Sequence, residues 1–143
     1  MQELHGYYLE DLEVGMSASY AKTISESDVY TFAGVSGDNN PIHINEEYAQ
    51  TTPFKKRIVH GMFSAALIST VAGTRLPGPG AIYVDQQIKF RRPIYIGDTA
   101  TATVTISEID QRRGRVKATT DVHVGETLVA SGSATFMVDK RDA

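Results

Sequence analysis

The chain contains no cysteine, which removes disulfides, thiolate metal sites and a cysteine nucleophile together. It also has no apolar run approaching the roughly 18–20 residues needed to cross a bilayer, and its opening MQELHGYYLED lacks a basic region followed by an apolar one. A cytoplasmic protein with no membrane partner is the expectation. Excess positive charge is missing too: the formal net charge is -3, and among the basic residues Lys55, Lys56, Arg57 and Arg91, Arg92 stand out as short clusters. Nucleic acid is therefore not an expected partner. The two clusters read as solvated surface, or as contacts for the phosphates of a cofactor-like substrate. What remains is an ordinary globular composition, 41% hydrophobic and 22% charged, in a length that suits one core and one domain, residues 1–143.

The first half reads helical and the second half reads as strands, with LPGPG, Leu76 to Gly80, as the joint. Ser25 is placed as an N-cap with Asp28 at N3, and Ile24 and Val29 as a hydrophobic staple. Val29, Phe32 and Ala33 give one helical face, which should stop at Gly37. Asn45, ahead of Glu46 and Glu47, is the next cap, so the stretch between reads as a loop stiffened by Pro41. GMFSAALISTVA, Gly61 to Ala72, is apolar or small on nearly every face and predicts a buried helix. Beyond Gly80 the period becomes two. Ile82, Val84, Ile88 and Phe90 form one apolar set, Ala100, Ala102, Val104 and Ile106 a second, Val116, Ala118, Val122 and Val124 a third. Leu128, Ala130, Ala134, Phe136 and Val138 form the fourth. With a short strand from Met16 to Ile24, these predict a five-stranded antiparallel sheet whose dry face is covered by the apolar helix, an α+β arrangement.

The chemistry concentrates in SGDNNPIHINEEYA, Ser36 to Ala49, where Asp38 and His43 lie five residues apart. Alone they are weak: Asp38 also fits a turn cap, and His43 a satisfied loop histidine. Three features add weight. Turn-forming residues on both sides of Asp38 fix the backbone, as a pair of acid/base groups sharing one atom requires. His60-Gly61 opens the buried helix, where free N–H groups would stabilise a developing oxyanion. Ser64 and Ser69 put hydroxyls into an apolar helix, and a buried hydroxyl must find a partner.

FAGVSGDNNPIHINEEYA followed by FKKRIVHGM resembles the signature of the MaoC-like hydratases, the (R)-specific enoyl-CoA hydratases of the hotdog fold. The resemblance runs from about Tyr8 to Val138 and includes PGPGAIY, QIKFRRPIYIGD and the closing TFMV. It implies a single hotdog fold, a five-stranded antiparallel sheet wrapped around a central helix. It also implies a homodimer with sheets paired edge to edge, and an acyl-CoA thioester entering near the dimer interface. It places the catalytic aspartate on Asp38, the catalytic histidine on His43 and the carbonyl-polarising N–H on Gly61. The family's active-site serine falls on Ser69, with Ser64 the second choice, and Asn40 falls on a loop-supporting asparagine. His60 reads as a loop anchor. No cofactor and no metal is expected. The implied reaction is hydration of a 2-enoyl-CoA, or the reverse dehydration of a 3-hydroxyacyl-CoA. Two groups on one pinned turn should add water to one face of the double bond. Two rivals share the fold: an acyl-CoA thioesterase, in which water attacks the carbonyl carbon, and a non-catalytic acyl-CoA or acyl-carrier binding module. The paired Asp38 and His43 favour hydration over both.

Overall fold

Short-range capping starts the helical half as the sequence predicts. In the computed structural model, which describes residues 1–142, strand β1 (Ser17–Thr23) leads into helix α1 (Glu26–Ser36) through Ser25. The Ser25 hydroxyl accepts from the Asp28 N–H at 3.1 Å, and the Asp28 carboxylate accepts from the Ser25 N–H at 2.9 Å. This closed capping box satisfies two donors the helix cannot satisfy itself. Ile24 and Val29 are fully buried beside it. Gly37 ends α1 at φ 81°, a left-handed conformation that other residues adopt only at a cost. Ala143, the last residue of the expected domain, lies outside the described residues.

The polar stretch is not simply a loop. Between Gly37 and Asn45 it holds a short helix, α2 (Pro41–Ile44), capped by the side chain of Asn40, and α3 (Glu46–Gln50) follows with Asn45 as the predicted cap. Asn40 Oδ1 accepts from the Ile42 N–H at 3.0 Å, and Pro41 at the first helical position needs no partner for an N–H it lacks. Helix α4 (Gly61–Thr74) follows, then β2 (Ile82–Phe90), β3 (Thr99–Asp110), β4 (Arg115–Val124) and β5 (Thr127–Met137). The five strands form one antiparallel sheet in the order β1-β3-β4-β5-β2.

The predicted alternation holds in the middle of this sheet. Ala100, Ala102, Val104 and Ile106 on β3 and Val116, Ala118 and Val122 on β4 are buried, as are Ala130, Ala134 and Phe136 on β5. Against them α4 sets Phe63, Leu67, Ile68 and Val71, each buried and each contributing about 1.5–3 kcal/mol relative to exposure. The alanines leave room for these larger side chains, so sheet and helix close on each other.

Two expectations need correction. Of the apolar set on β2 only Ile88 packs against this core: Ile82 is 58% exposed, Phe90 54%, and Val84 is also open. The reason is position. β2 is an edge strand with a register shift between Tyr83 and Asp85, and α4 packs on β1, β3 and β4 rather than over it. Nor is α4 enclosed on every side, because Met62, Ala66, Ser69 and Gly73 form an exposed stripe. No helix among the described residues is long and apolar enough to cross a membrane.

One backbone approach tests the sheet directly. Gly132 on β5 pairs with Ile88, and a β-carbon there would lie 1.8 Å from the Gln87 carbonyl oxygen. Gly132→Ala is expected to cost about 1–3 kcal/mol in denaturant unfolding. Gly34→Ala, which would meet nothing within 4 Å, should leave stability unchanged or raise it.

Candidate active site

The turn after α1 is fastened link by link. Ser36 Oγ donates to the Phe32 carbonyl at 2.6 Å and accepts from the Asp38 N–H at 3.1 Å. Asp38 Oδ1 in turn accepts from the Asn40 N–H at 3.3 Å. Asn40 caps α2, whose third residue is His43. The chain therefore turns back at Gly37 and climbs one helical turn, which carries His43 to the same place as Asp38.

A second set of contacts fixes the far side of His43. Arg57 bonds to Glu26 on α1, lies 3.4 Å from the Glu46 carboxylate on α3, and donates to the Tyr30 hydroxyl at 3.2 Å. This holds the next residue, Ile58, against α2, where its N–H donates to the Ile42 carbonyl at 3.2 Å. The Ile58 carbonyl then accepts from His43 Nδ1 at 2.7 Å. A carbonyl can only accept, so Nδ1 carries the proton and Nε2 of the neutral ring carries the lone pair. His43 is 7% exposed. Burial holds its pKa below the ordinary imidazole value, with the neighbouring His60 acting in the same direction. The Ile58 carbonyl and the Asp38 carboxylate oppose the shift.

Asp38, His43 and His60 bring their nitrogen and carboxylate atoms within 4.8 Å of one another. His60 is the N-cap residue of α4, and its Nε2 donates to the Asp38 backbone carbonyl at 2.8 Å. The His43 and His60 rings stack with centroids 3.9 Å apart and planes inclined by 25°. The stack does not suit a metal ion. At zinc–nitrogen distances of about 2.0–2.1 Å, an ion shared by two such rings would lie about 2 Å out of each ring plane, and in-plane lone pairs would miss it. A small polar molecule held by hydrogen bonds from Asp38 and His43 meets no such conflict.

Gly61 begins α4, so its N–H has no acceptor within the helix. It opens onto a cavity of about 250 Å³ whose walls include Phe54, His60, Ser64, Phe90 and Arg92. Asp38 and His43 do not line that cavity, whereas their neighbour His60 does. The structure thus brings Asp38, His43 and Gly61 to one locality, with Asn40 supporting the turn. The two serines diverge. Ser64 is buried against the cavity, whereas Ser69 lies on the exposed stripe of α4. Sequence reasoning missed the Arg57 ion cluster and the contact of Phe90 with Gly61. A basic run alone gives no sign of which acids it meets across helices, and Phe90 reads as an ordinary strand residue.

Five antiparallel strands, one long helix laid against them and an Asp/His turn packed at that helix's start define a hotdog-fold protein with a candidate acid/base site. The chain belongs to the MaoC-like family, since residues 11–127 match the family model for a MaoC like domain. It is 58% identical to an (R)-specific enoyl-CoA hydratase of Rhodospirillum rubrum, with 94% of each chain covered. It is 46% identical to a 3-hydroxybutyryl-CoA dehydratase of Methylorubrum extorquens, over 99% of this chain and 90% of the relative. Among solved structures, the unliganded R-hydratase of Pseudomonas aeruginosa superposes with a TM-score of 0.88 at 42% identity, covering 94% of this chain and 86% of that one.

The lowered pKa of His43 sets a pH dependence of stability. Above about pH 6.5 the ring is neutral in both folded and unfolded chains. As pH falls, the unfolded chain takes the proton first, so stability attributable to His43 is lost between that pH and the lower folded value. Unfolding free energy should decline across this window, and His43→Gln should lessen the slope. An imidazole signal from His43 titrating at or above the ordinary value would contradict the assignment.

Proposed function

We propose that this protein is an (R)-specific 2-enoyl-CoA hydratase, a hydro-lyase that equally dehydrates (R)-3-hydroxyacyl-CoA. The observation that carries the reading is the meeting of Asp38 and His43 beside the free N–H of Gly61, in a chain whose near relatives bear hydratase and dehydratase names. A thioesterase needs one activated water at a carbonyl; two converging proton-transfer groups suit addition across a neighbouring double bond.

Each step has a residue. The thioester oxygen accepts from the Gly61 N–H, which holds the negative charge that builds as the enolate forms. One water lies between Asp38 and His43. His43 Nε2, freed for this by the Nδ1 bond to Ile58, takes a proton as the water oxygen bonds to C3. The imidazolium then returns that proton to C2, while the Asp38 carboxylate holds the remaining hydroxyl hydrogen and steadies the transient charge. One water is consumed and no group is left altered. Because one loop supplies both groups, hydroxyl and proton reach the same face, and addition is syn. Arg91 and Arg92, beside the cavity at Gly61, suit the phosphates of coenzyme A.

A homodimer fits the uncovered surfaces. β2 presents an edge of unpaired backbone groups with Ile82, Val84 and Phe90 exposed, and long apolar edges of this kind are normally paired or covered. A second copy joining edge to edge at β2 is isologous and closes the assembly. Sedimentation is expected to give twice the 15.6 kDa chain mass; an active, stable monomer would exclude this arrangement.

The central test is loss of enoyl absorbance from crotonyl-CoA. Asp38→Asn and His43→Ala should each lower kcat by about 10²–10⁴-fold, and the double variant by much less than the product. Gly61→Val should fail as well, since even its β-carbon would meet the Phe90 ring at 3.1 Å. In deuterated water the product should be the (R) alcohol with deuterium syn to the hydroxyl. Release of free thiol with the enoyl group intact would instead identify a thioesterase.

A further inference from the structure

The His60 ring is 1% exposed, and its Nδ1 has no hydrogen-bond partner, although an unpaired buried acceptor is normally unfavourable. Three of the contacts that the residue does make bear on the reaction site. Its main chain is the N-cap of α4, and so fixes the direction of the Gly61 N–H. Its Nε2 donates to the Asp38 carbonyl at 2.8 Å. Its ring stacks on the His43 ring at 3.9 Å between centroids and meets the Phe32 ring, tilted, at 4.8 Å.

We propose that His60 is the positioning residue that holds the oxyanion donor and the acid/base pair at one fixed separation, through the hydrogen bond that its Nε2–H donates to the Asp38 carbonyl. This rests on the hydratase reading of the same site. The Asp38 carbonyl has no proton to give, so Nε2–H is the tautomer that makes the bond. Phenylalanine would keep the stack but release Asp38. Glutamine would keep a donor of similar reach but lose the stack. Neither alone does what imidazole does, and the hydrogen bond is the part that sets the geometry of Asp38.

Two measurements test this. With crotonyl-CoA, His60→Phe should lower kcat by about 10²-fold with KM changed much less, since displacement of a reacting group by about 1 Å has that effect. His60→Gln should recover most of the loss. Wild-type kcat in His60→Phe, or an equal fall in both variants, overturns the proposal. Should His60→Phe fail to fold, the wild-type protein decides through its ¹⁵N-labelled imidazole signals. A proton on Nε2 hydrogen-bonded to the Asp38 carbonyl supports the assignment, and the Nδ1–H form, which leaves Nε2 without a proton, overturns it. Failure of the wild-type protein to hydrate crotonyl-CoA would instead remove the hydratase reading, and the tautomer would still report on His60 as the anchor of Asp38.

Discussion

The first N–H groups of an α-helix have no partner within it, and the rest of this structure depends on where α4 leaves that unsatisfied end. A helix can stand with its start in water at no great cost. Here the apolar side chains Phe63, Leu67, Ile68 and Val71 bind α4 to the centre of the sheet, so its axis is set by core packing. Its start is then brought under the turn that carries Asp38 and His43. The Gly61 N–H gains a fixed direction from the same burial that stabilises the fold. Electrostatic stabilisation of a transition state works best when its dipoles need no rearrangement, and a helix anchored by a core supplies such a dipole. Glycine at this point has a separate reason, since the Phe90 ring occupies the space that a β-carbon would enter.

Much of this was legible in the sequence because much of it is local. Ser25 with Asp28, Gly37 and Asn45 are signals that act within four residues, and each appears where expected. The period of two on β3 and β4 was equally plain, for both strands are central and have one buried face. The same pattern misled on β2. Alternation reports which face of a strand is apolar, not what covers it, and Ile82, Val84 and Phe90 are uncovered in a single chain. At the turn, Asp38 and His43 could be picked out by spacing, but the tautomer of His43 could not. It depends on the Ile58 carbonyl, fifteen residues on, which is held by Arg57 reaching Glu26, thirty-one residues back. Long-range ionic contacts of this kind leave no periodic trace.

The uncovered surfaces bear on the one site residue that the sequence left divided. Ser64 and Ser69 are five residues apart on α4, about 500° of helical rotation, and so face different surroundings. Ser64 is buried and lines the cavity beside Gly61, within one chain. Ser69 shares the open stripe with Met62 and Ala66, and Met62 is 57% exposed. A choice between the serines is therefore a choice between two paths for the acyl chain, one inside the protomer and one along the outer flank of α4. The inner path is limited to about 250 Å³ and has the Phe90 ring in its wall, close to Gly61. The outer path has no wall in a single chain, and an apolar acyl group gains nothing from lying in water. A thioester that reaches Ser69 needs a second surface to close over it, so a catalytic part for Ser69 and an assembly that covers α4 stand or fall together.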